Sequence, residues 1–244
     1  MKLIVSLIAL FLLPGSLFTC WDGILALVQG FGYTWWIAGG MGAGALIWFI
    51  ALRYWDWFLV FEHELTHALV ALLFFRKIKK FVVTRRDGGV VYHTSGFGGA
   101  FGDAMISLAP YFLPIFTLIS TLFLPLVHEP GRRWYFGLIG FTLIYHTFST
   151  FDEIPRNWTR RSFREAGSGK AAKSDIAKSG YLFSFIFILC MTLFIHALIF
   201  WLMRWSYAGF VPFSKETFLR SKEIYIDIFQ WVMRLVRPVT ENVN

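Results

Sequence analysis

His63, Glu64 and His67 stand in the stretch FEHELTHALVALLFF, residues 61–75. On a helix, positions i and i+4 share a face, so both imidazoles can take one Zn²⁺ between them. Glu64, beside the first imidazole, can then act as general base toward a water activated by the metal. The surroundings sharpen this reading. The run is otherwise apolar enough for a membrane helix, where each ionisable group costs ~2.5–3.5 kcal/mol on insertion scales. His63, Glu64 and His67, together with Glu62, on about one and a half turns call for compensation. A metal held by two neutral imidazoles supplies it. The competing readings are a packed polar patch and a proton relay.

A catalytic zinc keeps three protein ligands and one open position. Asp103, His146, Asp152 and Glu153 are the candidates for the third ligand. Asp103 stands where it could cap a helix N-terminus. Asp152 ends a helix that also carries His146, and lies four residues before Arg156. His67 lies nine residues before Arg76, about 13 Å at the helical rise, so Asp152 falls at a comparable depth. His146 is about one and a half turns deeper and suits a supporting or substrate-side role. Tyr145, Ser149 and Thr150 could donate to a developing oxyanion, or serve as ordinary helix-packing hydroxyls.

The elements that must position these groups are membrane helices. The chain is 57% hydrophobic and only 16% charged, too little charge to cover a soluble domain of 244 residues. The length rule of ~20 residues places helices at about 33–52, 56–75, 104–127, 134–152 and 181–203. Gly40, Ala43 and Gly44 in the first of these have the small-residue spacing of close helix packing. Residues 1–20 read either as a signal peptide or, by topology, as a retained helix broken at Pro14. The fold class is therefore an all-α polytopic membrane protein of about five to six helices. The net charge of +8 lies in loops between spans and implies no nucleic-acid partner. Cys20 and Cys190 offer neither a disulfide framework nor zinc-finger spacing.

One basic loop carries Arg76, Lys77, Lys79, Lys80, Arg85 and Arg86; another carries Arg156, Arg160, Arg161, Arg164, Lys170, Lys173 and Lys178. The positive-inside rule puts both in the cytoplasm, together with the start of the helix at 33–52. Asp87-Gly88 between the β-branched runs FVVT and VVYHT predicts a small hairpin at the cytoplasmic edge. The tail, about 215–237, reads as an amphipathic interfacial helix. These divisions give N-terminal membrane segments at 1–55, a three-helix core at 56–155 and a basic loop at 156–180. A last membrane helix at 181–203 and an interfacial tail at 204–244 complete the chain.

Over about residues 56–155 the sequence resembles the site-2 protease family of intramembrane zinc metalloproteases. The resemblance rests on FEHELTHALVALLFF, on the glycine-rich DGGVVYHTSGFGG, on SLAPYFLPIF at 107–116 and on the distal Asp152. It departs from the family pattern in FSTFDEIPRN, where Glu153 replaces a glycine, and in Pro110, which has no preceding glycine. The resemblance implies one Zn²⁺ per chain on His63, His67 and Asp152, with Glu64 activating water against a peptide carbonyl. It implies that Gly88, Gly89 and the β segment help hold an unwound substrate strand, with Pro110, Tyr145, His146 and Ser149 as supporting groups. The expected partners are a membrane protein substrate, the lipid bilayer and other membrane proteins. The expected location is a bacterial inner membrane, with the active site toward the cytoplasm. A catalytically silent scaffold retaining the fold, or a zinc hydrolase acting on a non-peptide substrate, are the alternative functions.

Overall fold

The computed structural model describes residues 2–84, 88–159, 163–164, 171–172 and 174–236. Asp87 of the expected turn, Arg85 and Arg86, Arg160, Arg161, Lys170 and Lys173 of the basic loops, and positions 237–244 of the tail lie outside these residues. Helices α1 (Lys2–Val28), α2 (Thr34–Ile50) and α3 (Asp56–Leu73) lead into strands β1 (Ile78–Val83) and β2 (Gly89–His93). Helices α4 (Gly99–Leu108), α5 (Ile115–Phe123) and α6 (Arg132–Thr159) follow. Two-residue strands β3 (Phe163–Arg164) and β4 (Ala171–Ala172) precede α7 (Asp175–Ser179), α8 (Tyr181–Trp205) and α9 (Phe210–Val236). The fold is all-α and polytopic, with β1 and β2 pairing as an antiparallel hairpin in the register Lys80↔Tyr92, Val82↔Val90.

Lys2–Val28, Thr34–Tyr54 and Tyr181–Arg234 are long and apolar enough to cross a membrane. A fourth span results if Gly99–Tyr111 and Ile115–Leu126, bent by 91° at their junction, count as one. The single helix expected over 104–127 is thus broken. Pro114 offers no N–H and disfavours the helical conformation at Leu113 before it. α3 and α6 fall short of that hydropathy because they carry the polar residues of the site.

α1 continues through Pro14, whose missing N–H leaves the Leu10 carbonyl without its helical donor. The Tyr225 hydroxyl on α9 donates to that carbonyl at 2.6 Å. The next amide, Gly15 N–H, donates to Ser221 Oγ at 3.0 Å. A Cβ on Gly15 would meet the Thr217 carbonyl oxygen at 2.0 Å, so only glycine permits this approach. α9 therefore runs antiparallel along α1 from Thr217 to Tyr225.

α2 and α6 pack in parallel. Gly40 lies against Gly137, Gly140 against Ile37, and Gly44 against Phe141 and Ile144, while Trp48 reaches Tyr145 and Phe148. α3 then starts midway along α6, with Phe58 beside Tyr145, and advances in the same sense until His63 meets Glu153. Thr34 and Arg132 thus share one end of the molecule. This corrects the expectation that the helix at 33–52 begins on the side of the basic loops. Charge counting treated α2 and α3 as two opposed crossings, whereas the break at 51–55 lets the chain continue in one direction. α8 runs parallel to α1, with Lys2 at Ser179 and Gly23 at Phe200.

One apolar core joins the elements around the site. Val70 and Ala71 of α3, Ile106 and Leu108 of α4, Phe112 and Leu113, Ile176 of α7 and Phe187 of α8 are all buried in it.

Candidate metal centre

The helical spacing on α3 puts His63 and His67 side by side, both buried with 8% of their surface exposed. Their Nε2 atoms are 3.0 Å apart. His67 Nδ1–H donates to the Ile106 carbonyl at 2.6 Å, which leaves the His67 Nε2 lone pair facing His63. Two imidazole nitrogens at that distance need a shared proton or cation between them.

A carboxylate closes the third side. Asp175 Oδ2 lies 3.6 Å from His63 Nε2 and 3.5 Å from His67 Nε2. Among the described residues these three donors form a cluster that could hold a metal ion. Their separations suit zinc: bonds of about 2.0–2.1 Å to a tetrahedral ion put ligand atoms about 3.3 Å apart. Burial alone would push the Asp175 carboxyl up. The two imidazoles outweigh that effect and hold it well below the usual carboxylate range.

Asp175 is held there by its neighbours on α7. Ser174 Oγ caps the helix by accepting the Ala177 N–H at 3.4 Å. Ile176 is fully buried in the core, and its carbonyl accepts the Ser184 hydroxyl at 3.2 Å. Lys2 Nζ donates to the Ser179 carbonyl at 2.8 Å, at the other end of α7.

Of the proposed third ligands, Glu153 comes closest to His63, with Oε1 2.7 Å from Nδ1. It thus touches the ring nitrogen opposite the one that faces His67, where a carboxylate orients a metal-binding imidazole. Asp152 is exposed on α6 and stands outside the cluster, because successive helical residues are rotated by about 100°. Asp103 pairs with the buried Arg76, whose guanidinium also reaches the Gly99 carbonyl at 3.1 Å.

His146 lies deeper and away from the pair, with Nδ1 4.0 Å from Glu62 Oε1. Tyr145 is buried among Trp48, Phe58 and Phe116. Ser149 donates to its own helix at the His146 carbonyl, 3.0 Å away. Thr150 Oγ1 approaches His146 Nε2 at 3.4 Å. Pro110 is buried in the turn after α4. Gly88 faces open space, whereas Gly89 lies directly on Glu64: a Cβ there would sit 2.2 Å from Glu64 Cγ. The hairpin thus covers the face of α3 that carries Glu64, which is 6% exposed.

Sequence reasoning did not single out Asp175. It stands between Lys173 and Lys178, so charge counting assigned it to a solvated loop. The cap pair Ser174-Asp175 ahead of an apolar Ile176 was its only local signal.

The family model described as Peptidase M50B-like matches residues 36–159. That range runs from α2 to the end of α6, contains His63, Glu64 and His67, and stops before Asp175. No curated protein and no solved structure matches the chain.

Proposed function

Since the chain belongs to the Peptidase M50B-like family, a family of membrane metallopeptidases, we propose that it hydrolyses peptide bonds of membrane-embedded proteins with one zinc ion. The observation that carries this reading is the donor triangle of His63, His67 and Asp175, with sides of 3.0, 3.6 and 3.5 Å, next to Glu64.

His63, His67 and Asp175 would hold the ion, in place of the Asp152 implied by family resemblance. Zinc, when bound, supplies a Lewis acid that acidifies water and polarises a carbonyl oxygen. The Ile106 carbonyl fixes the His67 tautomer, and Glu153 orients His63. Glu64 takes the proton of the attacking water as its oxygen bonds to the carbonyl carbon. The C–N bond then breaks, and the proton passes from Glu64 to the departing amine. A transmembrane substrate must unwind first, because a helix keeps its carbonyls in its own hydrogen bonds.

By the positive-inside rule, the end of the molecule that carries Lys79, Lys80 and Lys178 would face the cytoplasm, with the metal centre toward that side of a bacterial inner membrane. A membrane protein substrate is the partner this reading requires.

The test uses the full chain, purified in detergent without chelators, and β-casein as an unfolded polypeptide probe. Cleavage by wild type that is stopped by 1,10-phenanthroline and missing in Glu64→Gln supports the proposal. Equal cleavage by both proteins, or none by the zinc-loaded wild type, overturns it.

A further inference from the structure

Tyr111 sits in the turn between α4 and α5, 1% exposed. Its ring meets the His63 ring edge-on, with centroids 5.6 Å apart and an interplanar angle of 77°. Its hydroxyl is buried and has no hydrogen-bond partner among the described residues. The carboxylates of Glu153, Asp175 and Glu64 all lie within electrostatic reach of it. The phenol thus borders the histidine pair, its ring against that of His63.

Such a hydroxyl is costly. Leaving a buried donor unpaired is destabilising, and phenylalanine would fill the same space without that penalty. Phe112 and Phe116 show that the segment accommodates phenylalanine readily. A donor without a protein partner, set beside a metal-binding imidazole, suits a charge that exists only during reaction. Tyr145, also buried and without a partner for its hydroxyl, packs instead against Trp48, Phe58 and Phe116.

We propose that Tyr111 is a catalytic residue whose phenolic O–H donates to the oxyanion of the tetrahedral adduct. The inference rests on the peptidase reading above. As water oxygen bonds to the carbonyl carbon, the C=O π pair moves onto oxygen and its water proton goes to Glu64. Tyr111 donates a hydrogen bond to that oxygen and keeps its proton. When the C–N bond breaks, the pair returns to the carbonyl and the hydrogen bond weakens.

Tyr111→Phe in the full chain tests this. The ring stays, so packing on His63 is preserved. Zinc content, thermal midpoint in detergent, and kcat and KM on β-casein are measured for wild type, Tyr111→Phe and Glu64→Gln. The expected result is about a 100-fold fall in kcat for Tyr111→Phe, with KM within about twofold, zinc retained and the midpoint no lower. Full turnover by Tyr111→Phe while Glu64→Gln is inactive overturns this role and leaves the peptidase reading intact. So does a loss of zinc or a lowered midpoint in step with the lost activity, since either makes the hydroxyl structural. Absence of Glu64-dependent cleavage by zinc-loaded wild type overturns the peptidase reading and this inference with it.

Discussion

Glu64 owes its place to a side chain that Gly89 lacks. Alanine at 89 would bring a Cβ to 2.2 Å from Glu64 Cγ and 2.7 Å from its Oε1, so the carboxylate must move or the hairpin must lift. Gly89→Ala is expected to lower β-casein turnover at least tenfold, since misplacing a reacting group by about an ångström has that effect, while zinc content stays unchanged. Glu153→Gln keeps a side chain of the same size beside His63 but removes its charge. The expected result is zinc affinity weakened about 10- to 100-fold, read by competition with a chromogenic chelator. His63, Glu64 and His67 were legible in the sequence because one helix turn writes their geometry into local spacing. Asp175 was not, because it reaches the pair through the packing of Ile176 against elements far away in the chain. Glu153 and Asp152 differ only in which way α6 is rotated, and sequence depth alone cannot separate neighbours on one helix.

Between elements, contacts without side chains set the architecture. Gly40 against Gly137 and Gly140 against Ile37 bring the α2 and α6 backbones together. Gly40→Val would push a Cβ to 1.9 Å from a backbone oxygen and should cost about 1–3 kcal/mol or more, seen as a lower unfolding midpoint in detergent. Gly40 and Gly44 announced close packing by their spacing, but nothing local named α6 as the partner or gave its direction. The same holds for Pro14. It led to an expected break that the structure does not show, since α1 runs unbroken from Lys2 to Val28; the hydroxyls that take up the freed backbone groups, Ser221 and Tyr225, lie far along the chain. The tail's apolar face was readable, but α9 meets α1 through Thr217 and Ser221, while Phe218, Ile228, Trp231 and Met233 stay exposed. The helix expected over 104–127 was read as unbroken, although Pro114 lies within it, where the structure bends by 91°.

The whole molecule gathers the start of α1, the hairpin, α7 and the start of α8 at one end, and the starts of α2 and α6 at the other. A cysteine at Gly32, which faces open space, should therefore label from the same side of the membrane as one at Arg133, and from the opposite side to one at Lys80. Labelling of Gly32→Cys together with Lys80→Cys would contradict the parallel course of α2 and α6. Membrane character and the all-α class were legible from composition, because hydropathy is a property of whole segments. Which way each segment runs was not, because the charge rule assumes that every hydrophobic run crosses completely. The central claim is that a carboxylate from α7 completes the metal centre begun on α3. The most direct measurement is the zinc content of the chelator-free protein, with wild type beside Asp175→Ala and Asp152→Ala. Wild type and Asp152→Ala should each hold about one zinc per chain, and Asp175→Ala should lose it. Zinc retained by Asp175→Ala and lost from Asp152→Ala would contradict the account.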